Sequence, residues 1–267
     1  MEFRTIVKTD KPGFSIAPFE KMLFVGSCFA DNIGRRFAEY KFKATINPYG
    51  VMYNPASIFH TIGKTDEAPH VAVFTLGTNH VYILNSTGEI VDNCAKRPQK
   101  LFTERELTVD ECLGYLSEAV ELLSGRYVDV KIIVTVSPIR YAKYGYHGSV
   151  LSKAVLLLAA DKLVKRYPGK VVYFPAYEII NDELRDYRFY ASDMLHPSEQ
   201  AVDYIWEVFS DTFFSAEAKQ FVAEWIPIKK ALAHKPFNPE SDEYRLFMEK
   251  TRQEIERIEA KYGKTLL

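Results

Sequence analysis

Cysteine is scarce in this chain of 267 residues: Cys28, Cys94 and Cys112 are the only three. An odd, widely spaced set excludes a disulfide framework and a CxxC zinc site, and fits a reducing compartment. Excess charge of either sign is also missing. The formal net charge is -1, which leaves no electrostatic footprint for nucleic acid or for an anionic membrane surface. Long apolar runs are absent. The longest, "AVLLLAA" at 154–160, falls far short of the roughly 20 residues a membrane-spanning helix needs. The first residues carry no apolar core of a signal peptide, so a cytoplasmic protein is expected. Repeats and low-complexity stretches are lacking. His60, His70 and His80 recur at intervals that do not suit metal ligation from one element, and they are expected to be separately satisfied. No metal or cofactor is expected.

What remains is an ordinary globular composition, 47% apolar and 26% charged, with a surplus of aromatics that includes 17 tyrosines. Short apolar runs alternate with helical periods. "MLFVG" (22–26), "KATIN" (43–47), "HVAVFTLG" (70–77), "VDVKIIVTVSP" (128–138) and "KVVYFP" (170–175) read as strands. Helical patterns cover 28–40, 55–63, 108–125, 149–166 and 198–214. Thr108 with Glu111 three residues on spells a capping box. "VYILNSTGEIVD" (81–92) reads as a hairpin inserted into the alternation. Strands alternating with helices predict a mostly parallel five-stranded sheet in an α/β domain. One domain spanning 1–267 is expected, with 215–267 as a helical extension. There Phe247, Thr251, Ile255, Ile258 and Tyr262 mark one face, which would pack on the domain or on a second subunit.

Ligands in open α/β sheets bind beyond the carboxyl ends of the strands. In this chain those positions hold Gly26 and Ser27, then Gly50 within "NPYGVMYNP", then Gly77, Thr78 and Asn79, then "SPIRY", then a long loop with Asp193 and His196. A serine hydroxyl needs a base to take its proton. An imidazole suits that task at neutral pH, and a carboxylate on its other nitrogen holds the tautomer. A helical turn would bring Asp193 and His196 to one face, with Pro197 in the first turn of the following helix. An oxyanion formed on attack would need donors, and the Ser27 N–H, the Gly50 N–H and the Asn79 amide are candidates.

"GSCFA" (26–30) with "NPYGVMYNP", "VTVSPIR", "YFPAYEI" and "DELRDYRFYASDMLHPS" resembles the GSCFA family, which is similar to the SGNH (GDSL-like) hydrolases. The resemblance runs through most of the chain. It implies a flavodoxin-like three-layer α/β/α sandwich with sheet order 2-1-3-4-5. It also implies a triad of Ser27, Asp193 and His196, with Gly50 and Asn79 at the oxyanion. The SGNH block reads G-D-S; in this chain the aspartate is absent and Ser27 follows Gly26 directly.

The expected activity is that of a serine esterase removing a small acyl group from a carbohydrate or similar alcohol, its substrate a small-molecule or glycan ester. Acyl transfer by the same triad and a non-catalytic glycan- or partner-binding module are the alternatives, with thiol chemistry at Cys28 a third. Cys28 itself is read as a packing residue beside Phe29. Ser27 would also cap the helix after it. Arg140 is expected to pair with a carboxylate, and Ser152 and Lys153, adjacent on a helix, to point apart.

Overall fold

The computed structural model describes residues 3–266. Five parallel strands form the central sheet: β1 (Lys21–Gly26), β2 (Lys43–Ile46), β3 (Val71–Leu76), then, after a small second sheet, β7 (Lys131–Val136) and β8 (Val171–Tyr173). Their order across the sheet is β2-β1-β3-β7-β8, the flavodoxin-like order 2-1-3-4-5. The second sheet comprises β4 (His80–Leu84), β5 (Ile90–Val91) and β6 (Phe102–Glu106), with β4 antiparallel to both others. The expected hairpin is therefore the β4–β5 part of a three-stranded sheet. Its third strand, "FTERE", escapes notice because four of its five residues are polar and outside the core.

Layering follows from side-chain alternation along buried strands. In β1, Leu23 and Val25 point to one face, while Met22 and Phe24 point to the other. The first face is covered by α2 (Pro55–Lys64), α3 (Val109–Arg126) and α4 (Gly145–Arg166). The second is covered by α1 (Cys28–Glu39) and α6 (Glu199–Phe213). Both faces of β1 and β3 are thus apolar, as parallel strands between helical layers require.

The aromatic surplus is concentrated on the α1/α6 face. Phe37 meets Phe24, Trp206 and Phe209 with ring centroids 5.0, 4.9 and 5.6 Å apart. Such contacts contribute about 0.5–1.5 kcal/mol each beyond area burial. The capping box on α3 forms as predicted: the Glu111 N–H donates to Thr108 Oγ1 at 3.2 Å, and Glu111 Oε2 accepts the Thr108 N–H at 2.8 Å.

After β8 the chain makes α5 (Ala176–Glu178) and a π-helical turn (Ile179–Leu184), where the sequence reading expects only a loop. Ile179 and Ile180 are buried there, so an apolar anchor rather than helical periodicity orders the segment. Beyond α6 come α7 (Ala216–Ala233) and α8 (Asp242–Tyr262). Phe221, Trp225, Ile228, Ile255 and Ile258 form a separate apolar cluster between them. Trp225 Nε1 donates to the Glu39 carbonyl at 3.0 Å, tying α7 to the end of α1. Among the described residues, no helix is long and apolar enough to cross a membrane.

Candidate active site

β1 ends on Gly26 because nothing larger fits. A Cβ there would lie 2.2 Å from the Thr75 carbonyl oxygen, and its φ of 145° is disfavoured for any other residue. The chain then enters α1 with Ser27 as N-cap. Ser27 is fully buried. Its Oγ accepts the Phe29 N–H at 3.3 Å and lies 3.1 Å from Thr75 Oγ1, while its N–H donates to the Thr75 carbonyl at 3.0 Å. Cys28, the first residue of α1, is half-buried, with Sγ 3.9 Å from the Tyr53 hydroxyl. It touches the core on one side, as packing predicts, and a tyrosine hydroxyl on the other.

Asp193 and His196 meet. Asp193 Oδ2 lies 2.6 Å from His196 Nδ1. The turn that joins them is not the helical one that the spacing suggested. Asp193 Oδ1 accepts the N–H groups of Leu195 (2.9 Å) and His196 (3.0 Å), and Met194 adopts a left-handed φ of 59°. Aspartate side chains stabilise such turns by replacing a backbone acceptor. The His196 N–H first, then that of Leu195 and the imidazole, hold the Asp193 carboxyl down at about 2. Pro197 precedes the helix rather than opening it: Ser198 is the cap and α6 begins at Glu199.

The loop after β7 supports this turn. The Arg140 N–H donates to the Leu195 carbonyl at 3.1 Å, and its guanidinium donates to the Met194 carbonyl at 2.6 and 3.1 Å. The guanidinium also stacks on Tyr190, 4.3 Å from the ring centre. Arg140 therefore takes a backbone carbonyl and aromatic rings where a carboxylate partner was expected. Cation–π contact and two well-aimed N–H donors suit the planar guanidinium.

The expected oxyanion donors are hydrogen-bonded elsewhere in this structure. The Gly50 N–H donates to the Asn47 carbonyl at 2.8 Å, closing a turn. The Asn79 side-chain amide is buried and donates to the Leu107 carbonyl at 2.8 Å. The Ser27 N–H is spent on Thr75. A buried carbonyl left without its donor costs about 1–3 kcal/mol, so the fold claims these groups first. Among the described residues, no hydrogen bond joins the Asp193–His196 pair to Ser27, Gly50 or Asn79.

Other groups gather at the carboxyl edge. Tyr53 and Tyr141 sit with rings perpendicular and centroids 6.0 Å apart. Burial, and then the neighbouring Cys28, push the Tyr53 phenol up to about 12. The Tyr141 hydroxyl is buried without a hydrogen-bond partner, and burial with Cys28 and Tyr53 nearby pushes it well above the usual phenol range. It abuts Gly77, where a Cβ would come within 2.4 Å of it. Beneath it, buried Lys153 donates to the carbonyls of Gly77 (2.6 Å) and Ser137 (2.8 Å), linking the ends of β3 and β7. Burial lowers its ammonium to about 7. Ser152 reaches the same loop by accepting the Asn79 N–H at 3.0 Å. The adjacent pair thus meets one loop, Ser152 at Asn79 and Lys153 at Gly77. A lysine standing directly before the apolar run of α4 was the signal for Lys153.

Tyr53 and Tyr141 continue into a cleft of about 250 Å³ whose other walls include Thr78, His80, Tyr82 and Tyr144. His80 stacks on Tyr144 with centroids 3.6 Å apart. His60 pairs with Asp92 and His70 with Glu20, so the three histidines have separate partners. Away from the cleft, Tyr40 stacks on Trp206 on the core side, and the Tyr49 hydroxyl donates to the Lys64 carbonyl.

Similar solved structures include a catalytic mutant of an acetylxylan esterase from Geobacillus stearothermophilus (13% identity, 76% of this chain and 98% of that one, TM-score 0.49). A carbohydrate esterase family 3 protein from Talaromyces cellulolyticus is similar at 13% identity over 79% of this chain and 98% of that one, TM-score 0.43. A search of the curated proteins finds no match. The GSCFA family model matches residues 21–70 and 64–209, and that of the GSCFA domain protein C-terminal domain matches 225–265. With most of its length matched, the chain belongs to the GSCFA family.

Proposed function

We propose that this protein is an acyl hydrolase of SGNH type, cleaving a small acyl group from a carbohydrate or similar alcohol. The observation that carries the reading is the Asp193–His196 pair. Its 2.6 Å contact fixes the proton on Nδ1 and leaves Nε2 as the base. Backbone donors keep the carboxylate ionised across the neutral range. The pair sits at the carboxyl edge, braced by Arg140 from the loop after β7. The nucleophile comes from the Gly26–Ser27–Cys28 turn at the end of β1. The tyrosine-lined cleft suits a sugar, whose apolar ring faces stack on aromatic side chains while its hydroxyls take hydrogen bonds.

His196 takes the nucleophile's proton as the carbon–nucleophile bond forms, then protonates the departing alcohol oxygen as the ester C–O bond breaks. Water, activated by the same imidazole, releases the acid. A sugar hydroxyl in place of water would make the protein a transferase.

The test is turnover of 4-nitrophenyl acetate and of acetylated xylooligosaccharides, with and without an added sugar acceptor. Wild-type turnover that falls by about 10²-fold or more in His196→Ala is expected. Equal turnover in His196→Ala, or none in the wild type, rejects the reading.

A further inference from the structure

Two adjacent nucleophiles follow β1, and the structure treats them differently. Ser27 has no exposed surface, and its hydroxyl is occupied by the Phe29 N–H and the Thr75 hydroxyl. Cys28 keeps its sulfur accessible from outside the core, against the Tyr53 hydroxyl. A second feature points to the same place: the buried Tyr141 hydroxyl has no partner, and its ring stands 6.0 Å from that of Tyr53, whose own hydroxyl meets the Cys28 sulfur. A buried donor without an acceptor is costly, and an oxygen anion arriving beside it would supply one.

We infer that Cys28, not Ser27, is the nucleophile, and that the Tyr53 and Tyr141 hydroxyls are the oxyanion donors in place of backbone N–H groups. The inference rests on the acyl-hydrolase reading above and changes the acyl donor it takes. His196 removes the thiol proton, and Sγ bonds to the acyl carbon. The resulting tetrahedral oxyanion accepts from the two phenols, which stay protonated. Collapse must then expel the leaving group rather than the thiolate. An alkoxide is the poorer leaving group of the two, because its conjugate acid is weaker. A thiolate leaving group is matched to Cys28. The favoured donor is therefore an acyl thioester, whose C–S bond breaks as its thiol leaves with the proton from His196. Water or a sugar hydroxyl then attacks the Cys28 thioester, its proton passes to His196, and the Cys28 thiol is regenerated.

The experiment uses the full chain and two acyl donors, S-phenyl thioacetate and phenyl acetate. Reaction is quenched in acid and the acetyl group located by peptide mass spectrometry. The expected result is acetyl on Cys28, released by neutral hydroxylamine, with kcat/KM at least tenfold higher for the thioester than for its oxygen counterpart. Cys28→Ala should lose about 10²-fold or more in turnover, and Cys28→Ser, nearly the same size, should lose the thioester preference. Tyr53→Phe should lower kcat by about 10²-fold with little change in KM, as loss of an oxyanion donor does. Acetyl on Ser27, or full activity in Cys28→Ala, overturns the inference and leaves the hydrolase reading standing. A wild type that takes no acetyl group and turns over neither donor overturns both.

Discussion

Asp193 holds His196 from two sides at once: Oδ2 meets the ring at 2.6 Å while Oδ1 accepts the His196 N–H at 3.0 Å. One carboxylate therefore sets both the tautomer and the backbone of its partner. Asp193→Asn keeps a carbonyl oxygen for the turn but offers the ring a different partner. A fall in kcat/KM of at least about 10²-fold is expected, with the folded state retained. The acid dependence has a defined sign. The carboxyl titrates near 3.8 ordinarily and is lowered to about 2 in the fold. Its contribution to stability is complete above pH 4 and is lost as pH falls through 2. The wild-type advantage over Asp193→Asn in urea melts should shrink across that window. A constant difference from pH 6 to pH 2 would contradict the linkage.

Ser27 is a cap before it is anything else. Ser27→Ala removes the acceptor for the Phe29 N–H and the partner of Thr75. A loss of about 1 kcal/mol is expected, seen as a drop of about 2–4 °C in Tm by calorimetry. An unchanged Tm combined with abolished turnover would return the serine to the chemistry.

Asn79 separates structure from catalysis. Its amide closes on the Leu107 carbonyl and its N–H on Ser152. Asn79→Ala should cost about 1–3 kcal/mol of stability by leaving a carbonyl unpaired. An oxyanion donor would instead show itself as a 10²–10³-fold loss in kcat. Measuring both on the same preparation decides between the two roles.

Lys153 sits under the cleft with its amine lowered from 10.5 to about 7 by burial. Between those values the unfolded chain holds a proton that the folded chain has released, so stability rises with pH. The slope is at most about 1.4 kcal/mol per pH unit. Lys153→Met abolishes it and also strips the Gly77 and Ser137 carbonyls of their donor. The stability gap between wild type and variant, from urea melts at pH 7, 8, 9 and 10, should widen with pH. A gap that stays flat would mean the amine remains protonated in the fold.

Much of this molecule is written in local pattern. β1, β3 and β7 announce themselves because each is apolar on both faces, and α3 announces its start through Thr108 and Glu111. The D-x-x-H spacing of Asp193 and His196 was likewise readable, since the two groups are close enough in sequence to meet through one turn, whatever its type. β6 was not readable, because its "FTERE" carries no strand periodicity of apolar residues and owes its place to pairing with β4.

The roles at the cleft were decided elsewhere. Ser27 finds Thr75 and Asn79 finds Leu107 across 48 and 28 residues of chain, and Lys153 reaches Gly77 across 76. Residue types and spacing determine which hydroxyls, amides and amines are available. Only the packed sheet determines which of them are already satisfied, because a buried polar group bonds to the nearest partner that folding brings to it, and that partner is named by topology rather than by neighbours in the chain.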